Sequence, residues 1–380
     1  MIHREEKTVN QIAPTSLSQW FQRLCTNKHK SCGKDTHSQI PTTTRTRLIK
    51  SLHDVPLDSG FSARCDAPSK LPSKDTVLYL AYGSNLCRET FREKRGIKPI
   101  SQINVVVPEL VMTFDLPGIP YTEPCFANTR YRQAPGSEKS IEGGADGGRD
   151  EENWHKGLVG VAYEVTMADY AHIIATEGGG ASYKDVLVDC YALSQDASAA
   201  VPMIPSGTRF KAHTLLAPAP TSGSGRRLRP DPDYAQPSPR YLKLITDGAD
   251  ELALPNEYQS YLHSLHGYCM TTNEQRLGQF IFLSIWAPLV AFIFGAGRLF
   301  ADKNGRYPAW LARLSASIFS SMWASYDSFF KGLFGDGERT IEAGSGHLHL
   351  DEKQPLLSEL VQEKYTDVLD EAVISYDGMV

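Results

Sequence analysis

The sequence lacks the usual marks of a secreted protein. Its seven cysteines are an odd number, lie far apart and form no C-x-x-C pair, so no disulfide-dense pattern is visible. The first residues contain no apolar segment typical of a secretory signal peptide, and no N-x-S/T glycosylation sequon occurs. These absences favour a reducing compartment, and we expect the globular part of the protein to face the cytosol.

An excess of charge of one sign is also missing. The chain of 380 residues carries 44 acidic and 39 basic side chains, a net charge of −5. Nucleic-acid-binding domains usually show a basic balance, so we expect no nucleic-acid partner. Apolar residues make up 41% of the sequence, which is enough to build a buried core.

Composition divides the chain into four regions. Residues 1–70 are polar, rich in Ser, Thr, Lys and Arg, and are expected to be mostly disordered. Residues 71–268 mix short strand-like runs with a few helices in no regular order, which predicts an α+β domain. Residues 269–335 are apolar and have a helical pattern. Residues 336–380 form a tail with 11 acidic and 3 basic side chains, which we also expect to be disordered.

The second region gives the clearest secondary-structure signals. A turn is predicted at Asp115–Pro120, where Pro and Gly cluster. A helix is predicted over Met167–Ala175, with Thr166 as its N-cap. Three apolar runs predict strands before that turn: residues 77–81, 104–107 and 110–114.

The most informative stretch starts as an apolar strand and breaks at Gly83, Ser84 and Asn85. Glycine accepts positive φ, and Ser and Asn side chains bond their own backbone, so the break predicts a tight turn. A helical pattern follows from Arg88. A helix N-terminus after such a turn presents backbone N–H groups that suit a carboxylate or an oxyanion. An ordinary strand-to-helix turn without a ligand is the alternative.

A second stretch places one carboxylate, Glu177, before three glycines at the end of a predicted helix, with Tyr183 close behind. Glycines at a helix end form a C-cap and let a ligand approach the backbone closely. A flexible helix end with a solvated carboxylate is the alternative. The P-loop spelling G-x-x-x-x-G-K-[ST] is absent here, which argues against a site for nucleotide phosphates.

Three motifs in a fixed order resemble the γ-glutamylcyclotransferase family, in particular fungal-type members with a C-terminal extension. They are the Y-G-S-N-L turn at residues 82–86, the Glu-Gly pair at Glu177, and the Pro-Ser-Pro element before Tyr241. The resemblance covers roughly residues 74–268. It implies a small mixed β-barrel or sheet with flanking helices, to which this chain adds C-terminal apolar helices.

The resemblance also implies a reaction. The α-amine of a γ-glutamyl group attacks its own γ-carbonyl and releases 5-oxoproline with a free amine or amino acid. Glu177 matches the family's catalytic base, and no metal or other cofactor is implied. The substrate could be a γ-glutamyl amino acid, glutathione or a glutathione conjugate. The matching substrate-binding positions are Tyr79, Leu80, Ala81, Tyr82, Gly83, Ser84 and Tyr241.

Other patterns point to weaker hypotheses. His263, His266 and Cys269 are spaced like metal ligands, but three such groups without a fourth partner are more often packing and surface residues. Cys87 follows the turn, yet no histidine partner can be identified, so we expect it to be a packing residue. A catalytically inactive adaptor that binds γ-glutamyl groups or peptides at a membrane is the rival function. The intact Glu177 argues against it.

The apolar region suggests contact with a membrane. No charged residue occurs between Arg276 and Arg298. The 18 residues Phe280–Gly297 would span about 27 Å as a helix, close to the thickness of a bilayer core. A second pattern over residues 310–333 is apolar on one side only, as in interfacial helices. We predict membrane association through residues 277–334, by shallow insertion that leaves both flanks cytosolic. A helical hairpin packed on the catalytic domain is the alternative.

Overall fold

The computed structural model describes residues 40–56, 76–132, 154–176, 184–216, 229, 231, 233–300 and 307–341. Disorder is expected over residues 1–70 and 336–380, and of these residues 1–39, 57–70 and 342–380 lie outside the described ranges. Residues 336–341 of the expected tail are described and include the buried Glu338. Glu177 and its three glycines also lie outside them.

The described residues form seven strands and a set of helices. The strands are β1 (Thr76–Ala81), β2 (Ser101–Val107), β3 (Leu110–Ile119), β4 (Glu123–Tyr131), β5 (Leu158–Thr166), β6 (Lys184–Ala192) and β7 (Arg209–Leu216). The helices are α1 (Arg45–Lys50), α2 (Met167–Thr176), α3 (Pro239–Glu251), α4 (Asn256–Ser264), α5 (Asn273–Phe300), α6 (Ala309–Ser325) and α7 (Lys331–Phe334). A π-helical turn, Tyr326–Phe330, joins α6 to α7.

Five of these strands close into a barrel in the order β1-β5-β2-β6-β7. Four pairings are antiparallel, and β7 completes the circle by running parallel to β1, with Tyr79 opposite His213. From Val77 to Ala81 every side chain of β1 is at most 5% exposed. A strand buried on both faces needs a continuous apolar run rather than an alternating one, which is the pattern of this segment.

The hairpin of β3 and β4 lies outside the barrel order. The prediction of a turn at Asp115–Pro120 is wrong, because β3 continues to Ile119. The pairing register shifts between Thr113 and Leu116, so the strand accommodates its irregular sequence with a bulge instead of a reversal. The chain turns at the next residues, where Tyr121 adopts φ of 66°.

A short segment that composition assigns to the leader is ordered against the barrel. Thr42 forms a parallel bridge with Gln102 of β2, and α1 follows directly. Arg47 of α1 is buried, and its guanidinium donates to the Thr76 carbonyl at 2.8 Å and lies 3.3 Å from the Glu164 carboxylate. A buried arginine needs such a partner, so this contact fixes α1 to β1 and β5.

The C-terminal extension, here residues 269–341, packs on the β3–β4 hairpin. The indole N–H of Trp323 donates to the Gly118 carbonyl at 3.1 Å, and the Gln279 amide donates to the Tyr121 carbonyl at 3.0 Å. The Tyr121 N–H in turn donates to the Gly337 carbonyl at 2.8 Å. Tyrosine rarely adopts positive φ, so these bonds hold the hairpin tip in a conformation that would otherwise be unfavourable.

A buried charge cluster joins this extension to the segment before α3. The Arg229 guanidinium donates to Glu338 at 2.6 Å and to Asp327 at 2.9 Å, and it stacks 4.3 Å from the centroid of the Trp323 ring. Glu338 is 1% exposed, so the pairing compensates for the loss of its hydration. The Gln236 N–H also donates to the Glu338 carbonyl at 2.8 Å.

The architecture is the one that the sequence predicts. It is an α+β fold with a small mixed β-barrel, flanking helices and apolar C-terminal helices. Among the described residues one helix, over Asn273–Gly297, is long and apolar enough to cross a membrane, and 44% of its most apolar window is buried inside the protein. This much burial against the protein also agrees with the alternative of a packed helical hairpin.

Candidate active site

The end of β1 opens into a recess to which four separate parts of the chain contribute. Its empty space is about 380 Å³, a volume that includes its open mouth. Within the part of the chain that the structure describes, the lining residues are uncharged: Tyr79, Tyr82, Gly83, Ser84, Asn85, Ala127, Thr214, Leu215 and Tyr241. They come from β1 and the turn after it, from β4, from β7 and from α3.

The first wall is the turn after β1. A 3₁₀ turn over Ser84–Leu86 follows Gly83, and the Asn85 amide donates to the Tyr79 hydroxyl at 2.8 Å. Helix α3 packs directly on this turn at Gly248, where a Cβ atom would lie only 2.4 Å from the Cys87 nitrogen. The Gly83-Ser84-Asn85 sequence therefore forms the predicted turn. Contacts with Tyr79 of β1 and with α3 hold this turn in place.

The second wall is Tyr241 in the first turn of α3. Ser238 is the N-cap of that helix, and its hydroxyl oxygen accepts from the Tyr241 N–H at 3.0 Å. The Tyr241 hydroxyl accepts from the Ala127 N–H at 3.2 Å, and its ring meets Phe126 edge-on at 5.0 Å. A Cβ atom at Gly83 would lie 3.4 Å from the Tyr241 hydroxyl, so the two walls nearly touch there.

A buried carboxylate fixes the position of this second wall. Glu123 begins β4, is 3% exposed, and accepts from the Ser238 hydroxyl at 2.6 Å. Its other oxygen accepts from the Arg240 guanidinium at 2.7 Å. The same side chain therefore joins the N-terminus of α3 to the hairpin strand that carries Ala127.

The third wall is β7, which contributes Thr214 and Leu215. Behind it lies a buried polar group of three side chains. The Tyr170 hydroxyl donates to Asp185 at 2.6 Å, and Nδ1 of His213 lies 3.0 Å from the same carboxylate oxygen. Tyr170 is on α2, Asp185 on β6 and His213 on β7, so this group fixes three elements to each other.

The structure brings most of the candidate substrate-binding residues together. Tyr79, Tyr82, Gly83, Ser84 and Tyr241 all line the recess. The two other candidates, Leu80 and Ala81, are 0% and 1% exposed in β1 and pack in the barrel without lining the recess. Glu177 lies outside the described residues.

Sequence reasoning missed the contributions of β4 and β7. Ala127, Thr214 and Leu215 belong to strands whose sequences carry no recognisable motif, and only the closed barrel brings them to this point. Glu123 was missed as well, although a lone acidic residue beside Pro and Cys in a strand-like run was a possible signal.

Cys87 adjoins the turn but is not poised as a nucleophile. It is 4% exposed, and burial raises the pKa of its thiol. A raised pKa disfavours the thiolate, which is the reactive form of cysteine. These properties agree with the packing role expected for this residue.

Comparisons with known proteins give similarities over most of the chain. Residues 272–333 match the family model of the AclK C-terminal domain. The chain is 31% identical over 263 residues to gamma-glutamyl cyclotransferase gliK of Aspergillus fumigatus, covering 69% of this chain and 89% of that protein. It is 30% identical over 291 residues to gamma-glutamyl cyclotransferase aclK of Aspergillus oryzae, covering 73% and 96%. A solved structure named gamma-glutamyl cyclotransferase is 20% identical with a TM-score of 0.35, covering 52% of this chain and 93% of that one.

The role of Glu123 leads to a stability prediction. Glu123→Gln keeps the shape of the side chain but removes the charge that strengthens its bonds to Ser238 and Arg240. We expect the free energy of unfolding to fall by about 1.5–3 kcal/mol, the range for hydrogen bonds to charged groups. Urea and thermal unfolding of the full chain would measure the change.

The matched control is Asp247→Asn, which breaks the exposed ion pair between Lys243 and Asp247 on α3. Exposed pairs of this kind contribute less than about 0.5 kcal/mol. Equal changes in the two variants would contradict the role given to Glu123.

Proposed function

Because the chain belongs to the γ-glutamyl cyclotransferase family, we propose that it catalyses intramolecular aminolysis of a γ-glutamyl amide. The products are 5-oxoproline and the free amine or amino acid. The observation that carries the proposal is the convergence of the turn after β1 and Tyr241 of α3 on one recess. These two elements are 155 residues apart when counted from Leu86 to Tyr241.

Ring closure needs little chemistry beyond orientation and proton movement. The reacting amine and carbonyl belong to the same molecule, so holding the bent conformer supplies a large part of the acceleration. Backbone N–H groups at Gly83 and Ser84 would hold the α-carboxylate or the developing oxyanion. Tyr79, Tyr82 and Tyr241 would form the walls around the γ-glutamyl group.

Glu177 is proposed as the catalytic base. Its carboxylate would take one proton from the α-ammonium, which frees the nitrogen lone pair to attack the γ-carbonyl carbon. The C–N bond of the ring then forms, and the carboxyl group gives its proton to the leaving nitrogen as the bond from that nitrogen to the γ-carbonyl carbon breaks. The ring nitrogen loses its second surplus proton through the same carboxylate, so the leaving amine receives two protons in all and departs as an ammonium group. A carboxyl group with a pKa raised towards neutrality by partial burial performs this shuttle most efficiently.

The recess is open to solvent, which is compatible with several γ-glutamyl substrates. The described lining residues offer hydroxyl, amide and backbone groups that suit the γ-glutamyl end, while the departing part can remain outside. A γ-glutamyl amino acid, glutathione and a glutathione conjugate all share this end.

The proposed domain division is a catalytic part over residues 71–268, a membrane-associating segment over residues 269–335, and flanking regions on either side.

Removing the charge of the proposed base should slow the reaction. Glu177→Gln should lower the turnover number for 5-oxoproline release by about 100-fold or more, the usual range for loss of a general base. The full chain would be assayed with γ-glutamyl-alanine, glutathione and a bulky glutathione conjugate. Glu93→Gln, which changes an exposed carboxylate after the turn, is the control and should leave the rate unchanged.

Two results would count against this account. Full activity in Glu177→Gln would exclude the proposed role of that residue. A folded wild-type chain that binds γ-glutamyl-alanine but releases no 5-oxoproline from any substrate would favour the inactive adaptor.

We also propose that α5 lies on a membrane surface instead of crossing it. One side of the helix is buried against the protein, including Phe282, Val290 and Ile293. The other side exposes large apolar residues at helical spacing: Leu277, Phe280, Ile285, Leu289, Phe292 and Leu299. Spanning the bilayer would require the buried side to leave its contacts, whereas shallow insertion keeps them. The catalytic part would then remain on the cytosolic side.

The membrane proposal predicts a loss of vesicle binding when the exposed face is made polar. The double variant Ile285→Asp with Leu289→Asp should bind phosphatidylcholine vesicles at least about 10-fold more weakly in co-sedimentation, because each apolar side chain contributes about 1.5–3 kcal/mol on burial. Ile204→Asp changes a residue that is 87% exposed in another part of the chain and is the control. Equal binding by the double variant and the control would contradict the proposal.

A further inference from the structure

Thr214 has an unusual environment within the recess. Its side chain is 0% exposed, yet it lines the recess, and its hydroxyl has no hydrogen-bond partner among the residues that the structure describes. Leaving a buried hydroxyl unpaired costs free energy, so such a group is usually retained because a ligand or a water completes it. Because Thr214 lines the recess, a ligand is the partner that its position favours.

Two features of β7 restrict the side chain of Thr214. Thr214 pairs with Val186 in the antiparallel ladder of β6 and β7, and its branched Cβ restricts rotation of the side chain. The preceding residue, His213, points to the opposite face of the strand, where it lies against Asp185. The buried group of Tyr170, Asp185 and His213 therefore fixes the position of β7 beside the recess that Thr214 lines.

The chemistry of the lining suggests what Thr214 binds. No charged side chain lines the recess within the described residues, so among them the neutral polar groups are the candidates to hold the α-carboxylate, while Glu177 is the group proposed to meet the α-ammonium. The α-amine has to lose a proton and move to the γ-carbonyl during the reaction. The α-carboxylate does not react and is the better anchor. A hydroxyl that donates to a carboxylate forms one of the stronger kinds of hydrogen bond.

We propose that Thr214 donates a hydrogen bond from Oγ1 to the α-carboxylate of the γ-glutamyl substrate. Thr214 is then a substrate-binding residue that complements the turn after β1. This inference rests on the proposed cyclotransferase function for the identity of the ligand.

The test compares two substitutions in the full chain. Thr214→Val keeps the shape of the side chain and removes the hydroxyl, and it should lower kcat/KM for γ-glutamyl-alanine by about 10- to 100-fold. The melting temperature should stay the same or rise, because an unpaired buried hydroxyl has been removed. Thr214→Ser keeps the hydroxyl and should lose less than about threefold.

Two ligands, each lacking one charged group of the substrate, show which of these groups Thr214 contacts. Glutaryl-alanine lacks the α-amine but not a terminal carboxylate, and calorimetric titration should show that Thr214→Val weakens its binding about as much as that of γ-glutamyl-alanine. 4-Aminobutyryl-alanine lacks the α-carboxylate, and its binding should be equal in wild type and Thr214→Val. The reverse pattern would overturn the assignment to the carboxylate.

The remaining outcomes are also decisive. Wild-type catalysis and binding in Thr214→Val would overturn the inference. A lowered melting temperature in Thr214→Val that Thr214→Ser restores would overturn it as well, since the hydroxyl would then have a partner within the protein. Absence of 5-oxoproline release by the wild type would defeat the proposed function alone, because the titrations still decide whether Thr214 binds a γ-glutamyl ligand.

Discussion

The buried carboxylate of Glu123 is the interaction on which the recess depends. It joins the N-terminus of α3 to the start of β4 through Ser238 and Arg240. Those two elements carry Tyr241 and Ala127, whose hydroxyl and backbone N–H are bonded to each other across the recess. A carboxylate that is 3% exposed is stable only with such partners, so the site and the fold are determined by the same contacts.

The C-terminal extension supports this arrangement from the other end of the hairpin. Its helices hold the hairpin tip at Gly118 and Tyr121, while Glu338 pairs with Arg229 in the segment that leads towards α3. The β3–β4 hairpin and the segment that leads to α3 are thus both bonded to the extension. An extension that only tethered the protein to a membrane would need none of these contacts, so it is also part of the structural support of the recess.

Sequence reasoning succeeded where signals were local. The strand before Gly83, the turn at Ser84 and the helix cap at Thr166 follow from residue preferences over a few positions. It failed at Asp115–Pro120, where pairing with β4 and a bulge override the tendency to turn. It also could not find Thr214 or Ala127, because their role depends on barrel closure between distant strands. Apolar periodicity in α5 fits both packing and membrane contact, and the structure assigns one side of the helix to packing.

The central claim is that the recess promotes ring closure without attack by water. The most direct measurement is the mass balance of one complete reaction of γ-glutamyl-alanine with the full chain in oxygen-labelled water. The account predicts equal amounts of 5-oxoproline and alanine, no glutamate, and no labelled oxygen in the 5-oxoproline at early times. Release of glutamate that carries the label would identify a hydrolase and contradict the account.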